Sequence, residues 1–373
     1  MTPHAVPLSA PWETLVVCAL LLVAPGAALQ RPRAWLLGGL LAALGITLFA
    51  SSAPIAYGAV AAGSLLHAWD AWARSRTGAA MLALAAALAV AVAMMLQHGE
   101  LAAAFCASTL AIALRAGVMP LHVGAASLCD RVPRVQAQQL ASTIALVFVH
   151  LRYVDHHEAA LALAPALVGY GALAAIAGAL LTLAQRDLRG FYRGTTAAHG
   201  GMLLAALGSA SIGNFAAALL VAVTIGLALG GLGMMITSLE ERVGPVQFSG
   251  PGGRAGAFPT LAAVFVLFGF AGFAVPGTAG FVADDLLLHT LWTASPASAV
   301  AVILTSAVIA VATLIAYSRV FLGPTVTSHA PDLYLRERLV AVGLIGLLIL
   351  LGIAPGLLLE PADAFLSSVP VLR

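Results

Sequence analysis

The sequence predicts an all-α polytopic membrane protein of about 12–13 transmembrane helices. Three observations predict it. Of the 373 residues, 61% are hydrophobic and only 9% charged, with a mean hydropathy of +1.02. A soluble domain carries about a quarter charged residues, so this chain cannot cover its surface with polar groups. Apolar runs of about 18 residues recur along it, each long enough for a hydrocarbon core of roughly 30 Å. The runs are continuous and rich in Ala and Leu rather than alternating, and a lipid-embedded backbone that must satisfy its own hydrogen bonds is then helical rather than a barrel.

In chain order the spans read as 13–29, 34–51, 54–69, 78–97, 101–121, 135–152, 159–184, 192–210, 212–239, 258–275, 278–294, 297–321 and 338–357. The first reads as a retained span rather than a cleaved leader, because Met1 to Trp12 contains no arginine and another apolar run follows closely. Runs 54–69 and 278–294 are short enough to be half-helices or parts of broken spans. With the Arg31/Arg33 turn inside, alternation puts Arg74, Arg76, Arg131, Arg134, Arg186, Arg189, Arg193, Arg242 and Arg254 inside too, and Arg152, Arg319, Arg336 and Arg338 outside. That asymmetry follows the positive-inside rule, and one miscounted helix would invert half of it. Glu240 to Phe258, rich in Gly and Pro, reads as a loop on the inner side.

No stretch is left for a soluble domain, which excludes a nucleotide-binding fold, iron–sulfur ligands and a Walker loop within this sequence. Cys18, Cys106 and Cys129 lack metal-ligand spacing and read as plain thiols. No metal site and no cofactor is expected. All 17 basic residues are arginine, a side chain that does not release its proton in proteins, whereas a buried lysine can.

Ionisable residues inside a membrane are costly and point to function. Arg115 lies within a span, just before Gly117, Pro120 and His122, where Gly and Pro loosen the helix. Such a break is tolerated beside protein or a wet cavity; the competing reading is an arginine snorkelling to the interface. Asp284 and Asp285 follow a second break at Pro276 and Gly277. If both carboxyls are buried, one holds a proton; otherwise both cap a half-helix at the interface. His199 falls about 15 Å along its helix from Arg189, either as a proton-passing group or as a hydrogen-bonded core histidine. His67 with Asp70, and His150 with Arg152, read as interfacial, and the run Asp155, His156, His157, Glu158 as a solvated turn. A break near a buried charge, once in each half, is a transporter pattern.

These residues resemble a known family. Arg115, Pro120, Leu121, His122 and Pro133 keep the spacing of the broken seventh helix of the antiporter-like subunits of respiratory complex I, where a lysine stands at the first position. Gln185, Asp187, Leu188 and His199 match the family's next conserved run, and Gly226 to Arg242 its following helix. PGTAGFV (276–282) resembles Pro-Gly-Thr-Ser-Gly-Phe-Val, with Asp284 where the family has glutamate, and YSRVFLGP (317–324) resembles its Tyr-x-Arg-Val-Phe-x-Gly-Pro. The chain M branch is nearest, with chain L, Mrp antiporters and membrane-bound hydrogenase subunits nearby.

The resemblance implies two inverted five-helix repeats with broken helices. It divides the chain into divergent N-terminal helices (1–99), an antiporter-like core (100–325) and a C-terminal helix and tail (326–373). It also implies an ion pathway through Arg115, His122, His199, Asp284 and Asp285 in a bacterial-type inner membrane. Besides Arg115 in place of the lysine and a shorter N-terminal part than the family's usual fourteen helices, the chain departs from the family at three positions. The family's eighth-helix lysine falls near Leu146, a histidine is replaced by Ile225, and its fifth-helix glutamate has no counterpart in 40–72, where only Asp70 is acidic.

The expected partners are other membrane or soluble subunits, lipid, and protons or Na+, not nucleic acid. Three functions fit: a proton- or cation-coupling subunit of a larger complex such as an NADH–quinone oxidoreductase-like translocase, the membrane subunit of a dissolved-inorganic-carbon uptake complex paired with a large zinc protein, or a non-conducting scaffold.

Overall fold

The computed structural model describes residues 34–155, 158–211, 215–273 and 275–360, together with 16, 18 and 19. The expected span 13–29 and His156 and His157 therefore lie outside the described residues, apart from fragments. Thirteen helices follow in order: α1 (Ala34–Phe49), α2 (Ala53–Trp72), α3 (Arg76–Gln97), α4 (Leu101–Ala116), α5 (Val123–Arg131), α6 (Pro133–Tyr153), α7 (Glu158–Leu183), α8 (Leu188–Ala210), α9 (Phe215–Val243), α10 (Pro259–Ala271), α11 (Ala279–Ala294), α12 (Pro296–Phe321) and α13 (Leu335–Ile353).

Four of them, α3, α7, α9 and α12, are long and apolar enough to cross a membrane unaided. The others are short apolar pieces, such as α4 and α10, or carry polar residues. Helix α2 holds His67 and Asp70, α6 holds Gln136, Gln138, Gln139 and His150, and α8 holds Thr195, Thr196 and His199. These polar groups are mostly buried, so they face protein while Leu173, Trp69 and Ile353 remain exposed, as lipid-facing side chains are. Helix α9 runs through the middle, and every residue from Ala217 to Ile236 is buried.

The helices fall into two sets of the same design. In each, three continuous helices are followed by a broken one and then a continuous one: α1, α2, α3, α4/α5, α6, and then α7, α8, α9, α10/α11, α12. Ionic contacts show that the second set is inverted. Arg134 at the start of α6 pairs with Asp70 near the end of α2 at 2.6 Å, and Arg189 at the start of α8 pairs with Glu240 near the end of α9 at 2.5 Å. Ser211 beyond α8 donates to Asp155 beyond α6 at 2.7 Å, at the opposite end.

One expectation is corrected. Runs 258–275 and 278–294 are not two crossings but the halves α10 and α11 of one. The Thr260 amide at the start of α10 donates to Asp332 at 2.8 Å, the Ala255 amide donates to the Phe321 carbonyl at the end of α12 at 2.9 Å, and Arg242 pairs with Glu337 at the start of α13 at 2.5 Å. Arg319, Arg336 and Arg338 therefore share the end of Arg242 and Arg254 rather than the opposite one. Among the described arginines only Arg152 marks the outer end, which strengthens the positive-inside assignment. The loop after α9 is ordered: Leu188 N–H bonds the Val246 carbonyl at 3.0 Å and Phe248 N–H the Arg186 carbonyl at 2.7 Å.

Helices α7 and α8 approach closely because glycines recur every seventh residue on both, at 171 and 178 and at 194, 201 and 208. A Cβ on Gly201 would stand 2.3 Å from the Ala175 nitrogen, and one on Gly178 2.4 Å from the Ala198 nitrogen. Backbone is met on both sides, so no rotamer relieves the clash. Close approach of small residues is how helices associate where lipid removes the hydrophobic drive. Gly201→Val is expected to cost about 1–3 kcal/mol or more, read as a lower melting temperature in detergent, whereas Gly343→Val, which meets nothing within 4 Å, leaves it unchanged. In a Cys106→Ala background, single cysteines at Ser249 and Ser328 are expected to react with an impermeant maleimide from the same face of the membrane. Labelling from opposite faces would restore the two-crossing reading.

Candidate functional site

Helix α4 stops at Ala116 because Gly117 takes a left-handed conformation, φ 75°, and caps it. Residues 117–122 then cross as turns before α5 starts at Val123. Arg115, the last charged residue before the break, is fully enclosed at 0% exposure, so it does not snorkel to the interface. Its Nε donates to Thr143 Oγ1 at 3.2 Å, and its Nη2 donates to the Gln139 carbonyl at 3.2 Å and to Ser142 Oγ at 2.5 Å. Its Nη1 donates to Ser64 Oγ. Gln139 returns a bond from Nε2 to the Arg115 carbonyl at 2.8 Å, which satisfies one of the groups freed by the break.

No carboxylate pairs with Arg115 among the described residues. The α2 residue that reaches it is a serine, and Asp70 is engaged by Arg134. His67 is buried rather than interfacial, at 1% exposure, and its Nε2 has no hydrogen-bond partner. His122 immediately precedes α5, with its Nδ1 buried and without a partner.

At the second break, α10 ends at Ala271 and α11 begins at Ala279. Gly277 has φ 89°, and Thr278 Oγ1 donates to the Val275 carbonyl at 2.8 Å. His199 on α8 lies against this break. Its Nδ1 is 2.8 Å from the Thr195 carbonyl and its Nε2 3.2 Å from the Gly272 carbonyl, and its ring stands 4.8 Å from that of Phe273. Asp284 is buried at 4% exposure and accepts a hydrogen bond from Ser306 of α12 at 3.0 Å. It lines a cavity of about 350 Å³ together with Phe273, Ser306 and otherwise apolar side chains.

Asp285 points the other way and is exposed. The two carboxyls are therefore not a buried pair, and no hydrogen bond or ion pair joins Arg115 to either. Each break has its own polar centre: Arg115, and His199 with Asp284.

A third cluster was missed by the sequence reading. At the outer end, Tyr57 Oη meets Ser108 Oγ at 2.9 Å, and His150 Nδ1 meets the same oxygen at 3.0 Å. His150 Nε2 lies 3.8 Å from Asp155. Asp155 is not in a solvated turn but 3% exposed, and burial pushes its carboxyl up to about 7, with the Ser211 hydrogen bond partly opposing. Only the His150–Asp155 spacing is local; Ser108 and Ser211, which complete the cluster, lie 42 residues from His150 and 56 from Asp155. Among the described residues no group of His, Cys, Asp and Glu could hold a metal ion.

The folded carboxyl of Asp155 thus titrates above its unfolded value. The fold holds a proton that the unfolded chain has lost between about pH 4 and 7, so this residue's contribution falls as pH rises through that window. Asp155→Asn is expected to flatten that part of a melting-temperature profile measured from pH 4 to 8. An unchanged slope would assign it to other groups.

The profile of the NADH:quinone oxidoreductase/Mrp antiporter transmembrane family matches residues 35–310. NADH-quinone oxidoreductase subunit M of Pseudomonas aeruginosa is 26% identical over 265 residues, covering 69% of this chain and 52% of that protein. The chain thus spans about half the length of the curated relatives it matches. Among solved structures, respiratory complex I from Thermus thermophilus with bound NADH has a chain that superposes with TM-score 0.81 at 20% identity, covering 96% of this chain and 84% of that one. The Mrp complex from Dietzia sp. DQ12-45-1b gives 0.75 at 18% identity, covering 96% and 82%.

Proposed function

The chain belongs to the NADH:quinone oxidoreductase/Mrp antiporter membrane family, and we propose that it is a proton-coupling subunit of a larger membrane complex in which the second repeat handles protons. One observation carries this reading. Asp284 is a buried carboxyl that receives a serine hydroxyl beside a helix break and borders a cavity. Phe273 lines that cavity and also packs on His199. A buried carboxyl and an imidazole linked in this way through Phe273 are groups able to take up and release a proton.

The first repeat plays a different part. A guanidinium does not release its proton, and the partners of Arg115 are hydroxyls and a carbonyl. Arg115 therefore acts as a fixed charge rather than as a relay.

A partner subunit is supported by the outer face of α11. Phe281, Asp285, His289 and Trp292 are exposed on one stripe, and a carboxyl facing lipid is costly unless another protein covers it. The structural relatives belong to multi-subunit membrane complexes.

In sealed vesicles containing the assembled complex, Asp284→Asn and His199→Ala are each expected to lower proton-coupled activity by at least about tenfold, with the complex still intact on native gels. Unchanged activity in both variants would falsify the proposal and leave a scaffold.

A further inference from the structure

A cavity of about 200 Å³ opens at the inner face, where the two repeats meet. Its wall is built from Arg74 just beyond α2, Arg131 and Arg134 on either side of the α5–α6 junction, Arg189 at the start of α8, and Thr237, Glu240 and Glu241 near the end of α9. One water needs only about 10–15 Å³, so this space admits a polyatomic ligand. Arg74, Arg131 and Arg134 belong to the first repeat and Arg189 to the second.

The charges in this wall do not balance. Asp70 holds Arg134 at 2.6 Å and Glu240 holds Arg189 at 2.5 Å, and the other Glu240 oxygen accepts the Val246 N–H at 3.3 Å. The neighbouring Asp130 carboxylate is taken by Arg193 at 2.6 Å. Glu241 is exposed and has Arg242 and Arg336 beside it. Arg74 and Arg131, both exposed, make no ion pair among the described residues, which leaves two positive charges over. The start of α6 adds to them, because Val132 and Pro133 also border the cavity. This 21-residue helix has no acidic residue in its first turn and no side-chain cap, and the N-terminal end of a helix dipole attracts anions.

We propose that this cavity binds one phosphate group, as inorganic phosphate or as the monoester headgroup of a phosphatidic acid in the inner leaflet. Such a group carries about −1.5 to −2 at neutral pH, which matches the charge left over, and guanidinium forks fit its oxygens bidentately. Arg134 and Arg189 are already held by their carboxylates and keep N–H groups to spare, whereas Arg74 and Arg131 are free to close on the ligand. A bound phosphate ties the inner ends of the two repeats together. The site stands apart from His199 and Asp284, so it holds whether or not those residues move protons.

The test is equilibrium dialysis of the purified complex in detergent against radiolabelled inorganic phosphate, at constant ionic strength in sodium gluconate. The expected result is saturable binding that the double variant Arg74→Gln/Arg131→Gln weakens by about tenfold or more. Neither arginine has an ion-pair partner among the described residues, so the double variant keeps the fold. Arg186→Gln, at an exposed arginine of the same face that does not border the cavity, is expected to leave binding unchanged. Radiolabelled phosphatidic acid in mixed micelles is the second arm, with phosphatidylcholine as the neutral control. Binding of that lipid alone, with the same dependence on Arg74 and Arg131, assigns the phosphate to a headgroup. No saturable binding of either ligand overturns the proposal, as does binding that ignores the double variant or falls equally in Arg186→Gln. An acidic segment of a partner subunit seated in the cavity of the assembled complex overturns it too.

Discussion

Inside a bilayer an interrupted helix exposes N–H and C=O groups that lipid cannot satisfy, so each break must be met by protein. That constraint organises this molecule. The break after α4 is closed by the reciprocal bonds between Arg115 and Gln139 and by α8, whose Gly200 leaves so little room that a Cβ would stand 2.5 Å from the Ala116 carbonyl. The break after α10 is met by His199, which contacts the Gly272 carbonyl. Both breaks therefore need α8, and α8 can reach them because its glycines let it lie backbone to backbone against α7. The least lipid-like helices are the ones assigned to this task.

The two breaks hold opposite chemistry. The first encloses a permanent cation among neutral acceptors, and the second has a buried carboxyl held by Ser306 and an imidazole held by backbone carbonyls. The two repeats share a design but differ in electrostatic character. The family resemblance implies a lysine at the position of Arg115. An arginine there cannot exchange a proton as a lysine can, and the surrounding serine, threonine and glutamine suit a charge that stays.

The ends of the bundle are asymmetric for a related reason. On the arginine-rich face, charges are neutralised locally: Arg193 by Asp130 at 2.6 Å and Arg242 by Glu337 at 2.5 Å. The half-exposed Arg193–Asp130 pair contributes only ~0–1 kcal/mol, whereas Arg242–Glu337 is buried, and both fix which helix ends meet. The opposite face instead buries a carboxyl, Asp155, behind His150 and Ser211.

The sequence by itself determined which segments are apolar helices and where they break, but not how many crossings the segments after Phe258 make. Apolar length is a local property, and so are the signals of Gly117, Pro120, Pro276 and Gly277. Arg115, His199 and Asp284 were legible for the same reason, because an ionisable residue in an apolar run stands out without knowledge of its neighbours. Only the tertiary structure decided what those residues touch. It separated Asp284 from Asp285 by helix phase, and it joined 258–275 and 278–294 into one crossing through contacts with residues 320–337. It assigned Ser64, Gln139 and Ser142 to Arg115 across 24 to 51 positions, and it enclosed Asp155. Hydropathy reports how each segment meets lipid, whereas polar partnership inside a bundle is set by which helix faces pack together.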